Sequence, residues 1–86
     1  MEDRILLKVS NETPALRLGN AILKSLEENK KITLRAIGNV AVNQAVKGIA
    51  IANKFAKEKI VFIPYISQVE LESGIKEAIE FDIEEV

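Results

Sequence analysis

No cysteine, histidine or tryptophan occurs in this 86-residue chain, which also has only two prolines and four glycines. Without cysteine there is no disulfide framework and no thiolate chemistry, which fits a reducing compartment. The missing histidine and cysteine remove the side chains that most often move protons near neutral pH, attack as nucleophiles or bind zinc. Ser10, Ser67 and Ser73 therefore have no base to activate them. No apolar run approaches the roughly 18 residues needed to span a bilayer. The start, Met1-Glu2-Asp3-Arg4, lacks the basic opening and apolar segment of a signal peptide. Neither a Gly-x-x-x-x-Gly-Lys loop nor a Gly-x-Gly-x-x-Gly fingerprint is present, which argues against a nucleotide site. These absences predict a cytoplasmic protein that is not an enzyme. They imply no cofactor, no metal, no membrane partner and no small-molecule substrate. The same gaps, beside abundant Lys, Glu and Ile, point towards a thermophilic source.

What is present suffices for one small domain spanning residues 1–86, with 48% apolar and 29% charged residues. A domain of this size buries a modest share of its surface, so self-association as a dimer or tetramer is expected. The net charge of −1 conceals a strong segregation along the chain. Residues 30–59 carry seven basic groups and a single acid, Glu58, whereas residues 60–86 carry Lys76 against seven acids. That makes the molecule electrically two-faced, unless the pattern merely reflects lysine-rich helices and glutamate-tolerant strands.

Periodicity predicts six elements in the order βαβαββ. Arg4 to Val9 reads as a strand. Thr13 then suits an N-cap, with Pro14 at the first helical position. The helix that follows gathers Ala15, Leu18, Gly19, Ile22, Leu23 and Leu26 on one side. A second strand runs from Ile32 to Ile37, and a second helix from about Val40 to Lys57. Two long strands, Lys59 to Leu71 and Ile75 to Glu84, are joined by Glu72-Ser73-Gly74, a hairpin signal. Strand–helix–strand crossovers imply parallel neighbours, and the hairpin adds an antiparallel arm. The predicted fold is a two-layer α/β (α+β) sandwich, a mixed four-stranded sheet with two helices on one face. Pro64 marks an edge strand or a bulge. In the last strand Ile75, Ile79, Phe81 and Ile83 share the side expected to pack on the helices. Glu80, Asp82 and Glu84 alternate with them and read as a solvated face.

The second helix holds most of the functional information. At 100° per residue, Asn43, Lys47, Lys54, Lys57 and Glu58 share one stripe with Ala50 among them, and Val42, Ala45, Val46, Ile49, Ala52 and Ala56 lie opposite as core. Ile51 and Phe55 sit at the stripe's edge, which suggests burial against another helix or another subunit. Gly19 and Gly48 each cost a helix about 1 kcal/mol against Ala, so close helix–helix approach is their expected compensation. Gly38-Asn39, between strand and helix, has the composition of an anion-binding nest, but a glycine ending a strand before a helix is usually just turn geometry.

Ala36-Ile-Gly-Asn-Val-Ala-Val-Asn-Gln-Ala-Val-Lys-Gly-Ile-Ala-Ile-Ala-Asn-Lys-Phe55 resembles the bacterial stage V sporulation protein S family in residue type and spacing. Leu7-Lys8-Val9-Ser10 and Phe62-Ile63-Pro64 resemble that family's first strand and its Ile-Pro strand. More distantly, the chain is similar to the Alba family of archaeal chromatin and RNA-binding proteins, which shares the βαβαββ order and forms dimers on nucleic acid. The resemblance implies an Alba-like fold and a nucleic-acid-binding, regulatory role in sporulation and cell division. Several positions depart from the Alba pattern. Asn11-Glu12-Thr13 replaces a lysine pair after the first strand, and Asn43-Gln44 replaces a Ser-Lys pair. The hairpin from Val69 to Ala78 is mainly acidic rather than basic. Asn53-Lys54-Phe55 is similar to the Alba Asn-Arg-Phe, whose Phe serves contacts between dimers.

Two functions follow as expectations. One is an oligomeric regulator that binds DNA or RNA through Asn39, Asn43, Gln44, Lys47 and Lys54, with Lys31 and Arg35 as nearby positive charge. Its oligomer interface would use Ile51 and Phe55. Asparagine and glutamine can bond phosphates or base edges, and lysines supply the salt-dependent attraction. The alternative is a protein-interaction module of the sporulation or division machinery that does not bind nucleic acid, using Ile51, Phe55 and the acidic sheet face. An RNA-reading sheet of stacked aromatics is not expected, because the exposed face reads as acidic and without aromatics.

Overall fold

Six segments alternate between period-two and helical patterning, and each forms the element its pattern dictates. The computed structural model describes residues 3–86. It contains β1 (Arg4–Val9), α1 (Ala15–Glu27), β2 (Lys31–Ala36), α2 (Asn39–Phe55), β3 (Ile60–Leu71) and β4 (Gly74–Glu85). The strands form one sheet in the order β1-β2-β4-β3. β1 and β2 are parallel, and β4 runs antiparallel to both β2 and β3. The β2–α2–β3 crossover thus returns a strand in the same direction as β2, but β4 inserts between the two. Pro64 lies on β3, an edge strand, where its missing N–H can face solvent.

Both helices lie on one face of the sheet. The core is built from Leu18 and Ile22 of α1, Ala41, Ala45, Ile49 and Ala52 of α2, and Ile32, Leu34, Phe81 and Ile83 of the central strands. Ile22, Ile32 and Leu34 are its fully buried large side chains. The helices meet at the two glycines, as their helical positions imply. A Cβ on Gly19 would stand 2.8 Å from Cγ2 of Ile51, and one on Gly48 would stand 2.7 Å from Cδ2 of Leu18. Ile51 therefore packs, half-buried, against the first helix of its own chain.

Element ends differ from expectation for local reasons. Pro14 is itself the N-cap of α1, in extended conformation, and no side chain caps the helix. The Thr13 hydroxyl turns back instead to accept from the Ser10 amide at 2.8 Å. The second helix stops at Phe55 rather than Lys57 because Ala56 is extended, and Asn53 Oδ1 accepts the Ile60 amide at 2.9 Å, starting β3. Asn29, left-handed at φ 59, turns the chain from α1 into β2, a conformation asparagine tolerates. Gly38, at φ 91, makes the turn into α2 that a Cβ would strain.

Candidate nucleic-acid interface

The β2–Gly38–α2 unit lays a polar ridge along the outside of the helix layer. Asn39, Asn43, Lys47 and Lys54 recur at intervals of four, four and seven residues. All four are exposed, so they line one side of α2 from its first turn to its last. Lys47 and Lys54 stand about 10 Å apart along the axis. Among the described residues neither makes an ion pair. The Lys54 ammonium lies 5.7 Å from the centroid of the Phe55 ring. Val46, expected in the core, is instead exposed at 41% and borders the ridge, because the helix meets the sheet through Ala41, Ala45 and Ala52. Phe55, at 65% exposed, ends the helix beside a hollow lined by Leu23, Leu26 and Ala56.

The other residues named from sequence lie elsewhere. Gln44 turns inward, its Nε2 donating to the Thr13 carbonyl at 2.8 Å and tying α2 to the entry of α1. Lys31 opens β2 at the far end of that strand from α2's first turn, beside a depression shared with Glu84 and Glu85. Arg35 projects from the opposite face of the sheet. There its Nε donates to Glu80 Oε2 at 2.6 Å across the β2–β4 register.

That open face corrects two expectations. Glu80, read as a solvated acid, is only 7% exposed, because Arg35 from β2 and Tyr65 from β3 close over it. Tyr65 is an aromatic on the face expected to hold none. Its hydroxyl sits 3.1 Å from Glu80 Oε1 and 3.0 Å from Asp82 Oδ1, so two carboxylates share one proton donor. Asp82 also accepts from Thr33 at 2.8 Å, and Thr33 accepts from Arg4 at 2.7 Å. The Arg35 guanidinium holds the Glu80 carboxyl below the usual carboxylate range. Desolvation works against that shift and is outweighed, while the Tyr65 hydrogen bond reinforces it. Burial, then the bonds to Asp82 and Glu80 and their negative charges, pushes the Tyr65 phenol up to about 12.

Sequence reasoning missed the Arg4–Thr33–Asp82–Tyr65–Glu80–Arg35 network. Its signal was the opposite charges at alternate positions of β2 and β4, readable only once those strands are known to be neighbours.

A family model described as "Stage V sporulation protein S" matches residues 5–86, nearly the whole chain. The chain belongs to the stage V sporulation protein S family. A solved structure, Alba from Thermoplasma volcanium, superposes with a TM-score of 0.58 at 19% sequence identity, covering 92% of this chain and 95% of that one. At that identity the likeness is one of fold, and it matches the βαβαββ order and the mixed sheet. In this family member the stretch that carries the family spacing is the one that builds the exposed ridge of α2. No helix among the described residues is long and apolar enough to cross a membrane.

Proposed function

We propose that this stage V sporulation protein S family member is a regulatory protein of sporulation or cell division. In this reading it binds nucleic acid as an oligomer, with the α2 ridge as its contact. The observation that carries the reading is the ridge itself. Four polar side chains stand exposed along a helix, two of them lysines without an acidic partner among the described residues, although the chain is acidic overall. Phosphate contacts from lysine contribute affinity, and the amides of Asn39 and Asn43 can add hydrogen bonds to phosphate or base edges. Gln44 serves the fold rather than the ligand in this scheme, and Arg35 and Lys31 stand outside the contact.

Self-association is supported by apolar surface that the helices leave uncovered. On the helix side of β3, Ile66 is 64% exposed and Phe62 lies half-open against Phe81, with Phe55 exposed at the end of α2. Apolar groups gathered on one side of so small a chain suit an interface between copies. Such a dimer would present two ridges and four lysines.

A salt titration of binding to labelled double-stranded DNA and to single-stranded DNA and RNA tests the proposal. Four lysine–phosphate contacts per dimer predict a log–log slope of about −3.6 on duplex DNA. Lys47→Ala with Lys54→Ala should abolish most of that slope. Absence of binding at low salt, or binding insensitive to both substitutions, would leave the protein-interaction reading in its place.

A further inference from the structure

The open face of the sheet holds a second feature, independent of the α2 ridge. β2 ends opposite Ile79, whereas the β3–β4 hairpin runs on to Leu71 and Gly74 with no strand beside it on that side. Val69 and Leu71 of this arm line the same cavity as Lys8 and Asn11, which belong to a strand end and loop two strands away. The arm therefore bends across the C-terminal ends of β1 and β2. Beneath it lies a cavity of about 460 Å³, within the range of small-ligand sites.

The chemistry of its wall is divided. Lys8 and Arg35 are register partners on neighbouring parallel strands, so both cations project from the same face at one strand spacing. Lys8 makes no ion pair among the described residues. Arg35 gives only its Nε to Glu80, which leaves its terminal nitrogens without a hydrogen bond among the described residues. Like charges placed side by side on adjacent strands repel, and a bridging anion would relieve that repulsion. The aliphatic part of the lining comes from Val69 and Leu71 of the arm and from Ile37. An aliphatic wall gives nothing to a phosphodiester backbone, while Glu12, which also lines the cavity, repels any anion placed beside it.

We propose that this cavity binds a small amphiphilic anion, its carboxylate or phosphate head on Lys8 and Arg35 and its aliphatic body along Val69 and Leu71. The ligand is bound rather than turned over, since no nucleophile with an activating base lines the cavity. Because Lys8, Val69 and Leu71 lie off the α2 ridge, failure of this site would leave the nucleic-acid proposal untouched, and the converse also holds.

The test is an amide-resolved NMR titration of the whole chain, below micelle-forming concentrations, with octanoate, octyl phosphate, octanol, acetate and inorganic phosphate. Octanoate or octyl phosphate should saturate, with shifts concentrated at residues 8–12, 35–37 and 69–71, and the tighter of the two identifies the preferred head group. Octanol, a tail without an anionic head, and acetate and phosphate, heads without a tail, should each bind at least about tenfold more weakly. Lys8→Gln and Leu71→Ser, each verified as folded by circular dichroism, should each weaken the best ligand by about tenfold. The proposal is overturned if neither amphiphile saturates, if octanol matches them, if the shifts fall elsewhere, or if both variants bind as tightly as the parent.

Discussion

Gly19→Ala places one methyl group where the two helices touch, and its cost can be argued from the contacts. The new Cβ would lie 2.8 Å from Ile51 Cγ2, 3.0 Å from Ile51 Cβ and 3.1 Å from the carbonyl oxygen of Gly48. Two of these three atoms cannot yield by a rotamer change, since one is a branched Cβ and the other is backbone. The helices must separate or tilt, and Leu18, packed against Gly48 in the same seam, must follow. Overpacking of this kind costs about 3 kcal/mol at the upper end of its range. The better helix propensity of alanine returns about 1 kcal/mol. The net loss is therefore about 2 kcal/mol, a fall in Tm of roughly 8–16 °C for a chain of this length. Thermal unfolding followed by far-ultraviolet circular dichroism measures it, with protein concentration held constant because an oligomer's Tm depends on it. Asn20→Ala, one residue along on the exposed side of α1, is the control, and should stabilise by a few tenths of a kcal/mol through propensity alone. Adding Ile51→Ala to Gly19→Ala should cost less than the two single changes summed, because the obstructing Cγ2 is gone. A Gly19→Ala protein that melts at or above the parent would show that the helices have room to spare, and the close-packing argument would be wrong.

Arg35→Gln leaves the Glu80 carboxylate shielded without its cation and should cost about 3 kcal/mol in urea unfolding, the low end for stripping a buried charge because Arg35 is itself partly exposed. In the parent, the folded-state pKa of Glu80 lies below its unfolded value. Its contribution to stability is thus complete above the ordinary carboxylate range and is lost as pH falls through the lowered pKa, a loss that Glu80→Gln should remove from the acid-unfolding profile. Tyr65 is the chain's one tyrosine and there is no tryptophan, so phenolate absorbance reports it alone, with a midpoint expected near 12 rather than 10. Because that pKa is raised on folding, its stabilisation is whole below pH 10 and fades between about 10 and 12, whereas Tyr65→Phe should show no such fade. Phe55→Glu should lower the oligomeric state in sedimentation or light scattering while leaving the circular dichroism spectrum unchanged; an unaltered assembly would exclude Phe55 from the interface.

The helices and strands were legible because their patterns do not conflict. Alternating Ile79, Phe81 and Ile83 can sit only on a half-covered strand, and Gly19 and Gly48 inside helices signalled the seam where α1 and α2 meet. The α2 ridge was legible for the same reason, since helical spacing alone brings Asn43, Lys47 and Lys54 together. Spacing reports a direction around the helix axis and not what waits there, so it does not show that the Gln44 amide bonds the Thr13 carbonyl. Arg35 was grouped with α2 by closeness in sequence, although the strand's pleat sends its side chain through to the other side of the sheet.

The sequence by itself determined the order of elements, the family spacing of the Arg35–Phe55 unit and which side of each element is apolar, because all of these follow from local periodicity. Only the tertiary structure decided that β4 enters between β2 and β3. That single pairing sets Glu80 opposite both Arg35 and Tyr65, turning an apparently solvated acid into a shielded ion pair, and it brings the hairpin arm to the ends of β1 and β2, where together they line an open cavity. The physical reason is that a charge's environment depends on its neighbours in space. In a sheet those neighbours come from strand order and register, which no single strand contains.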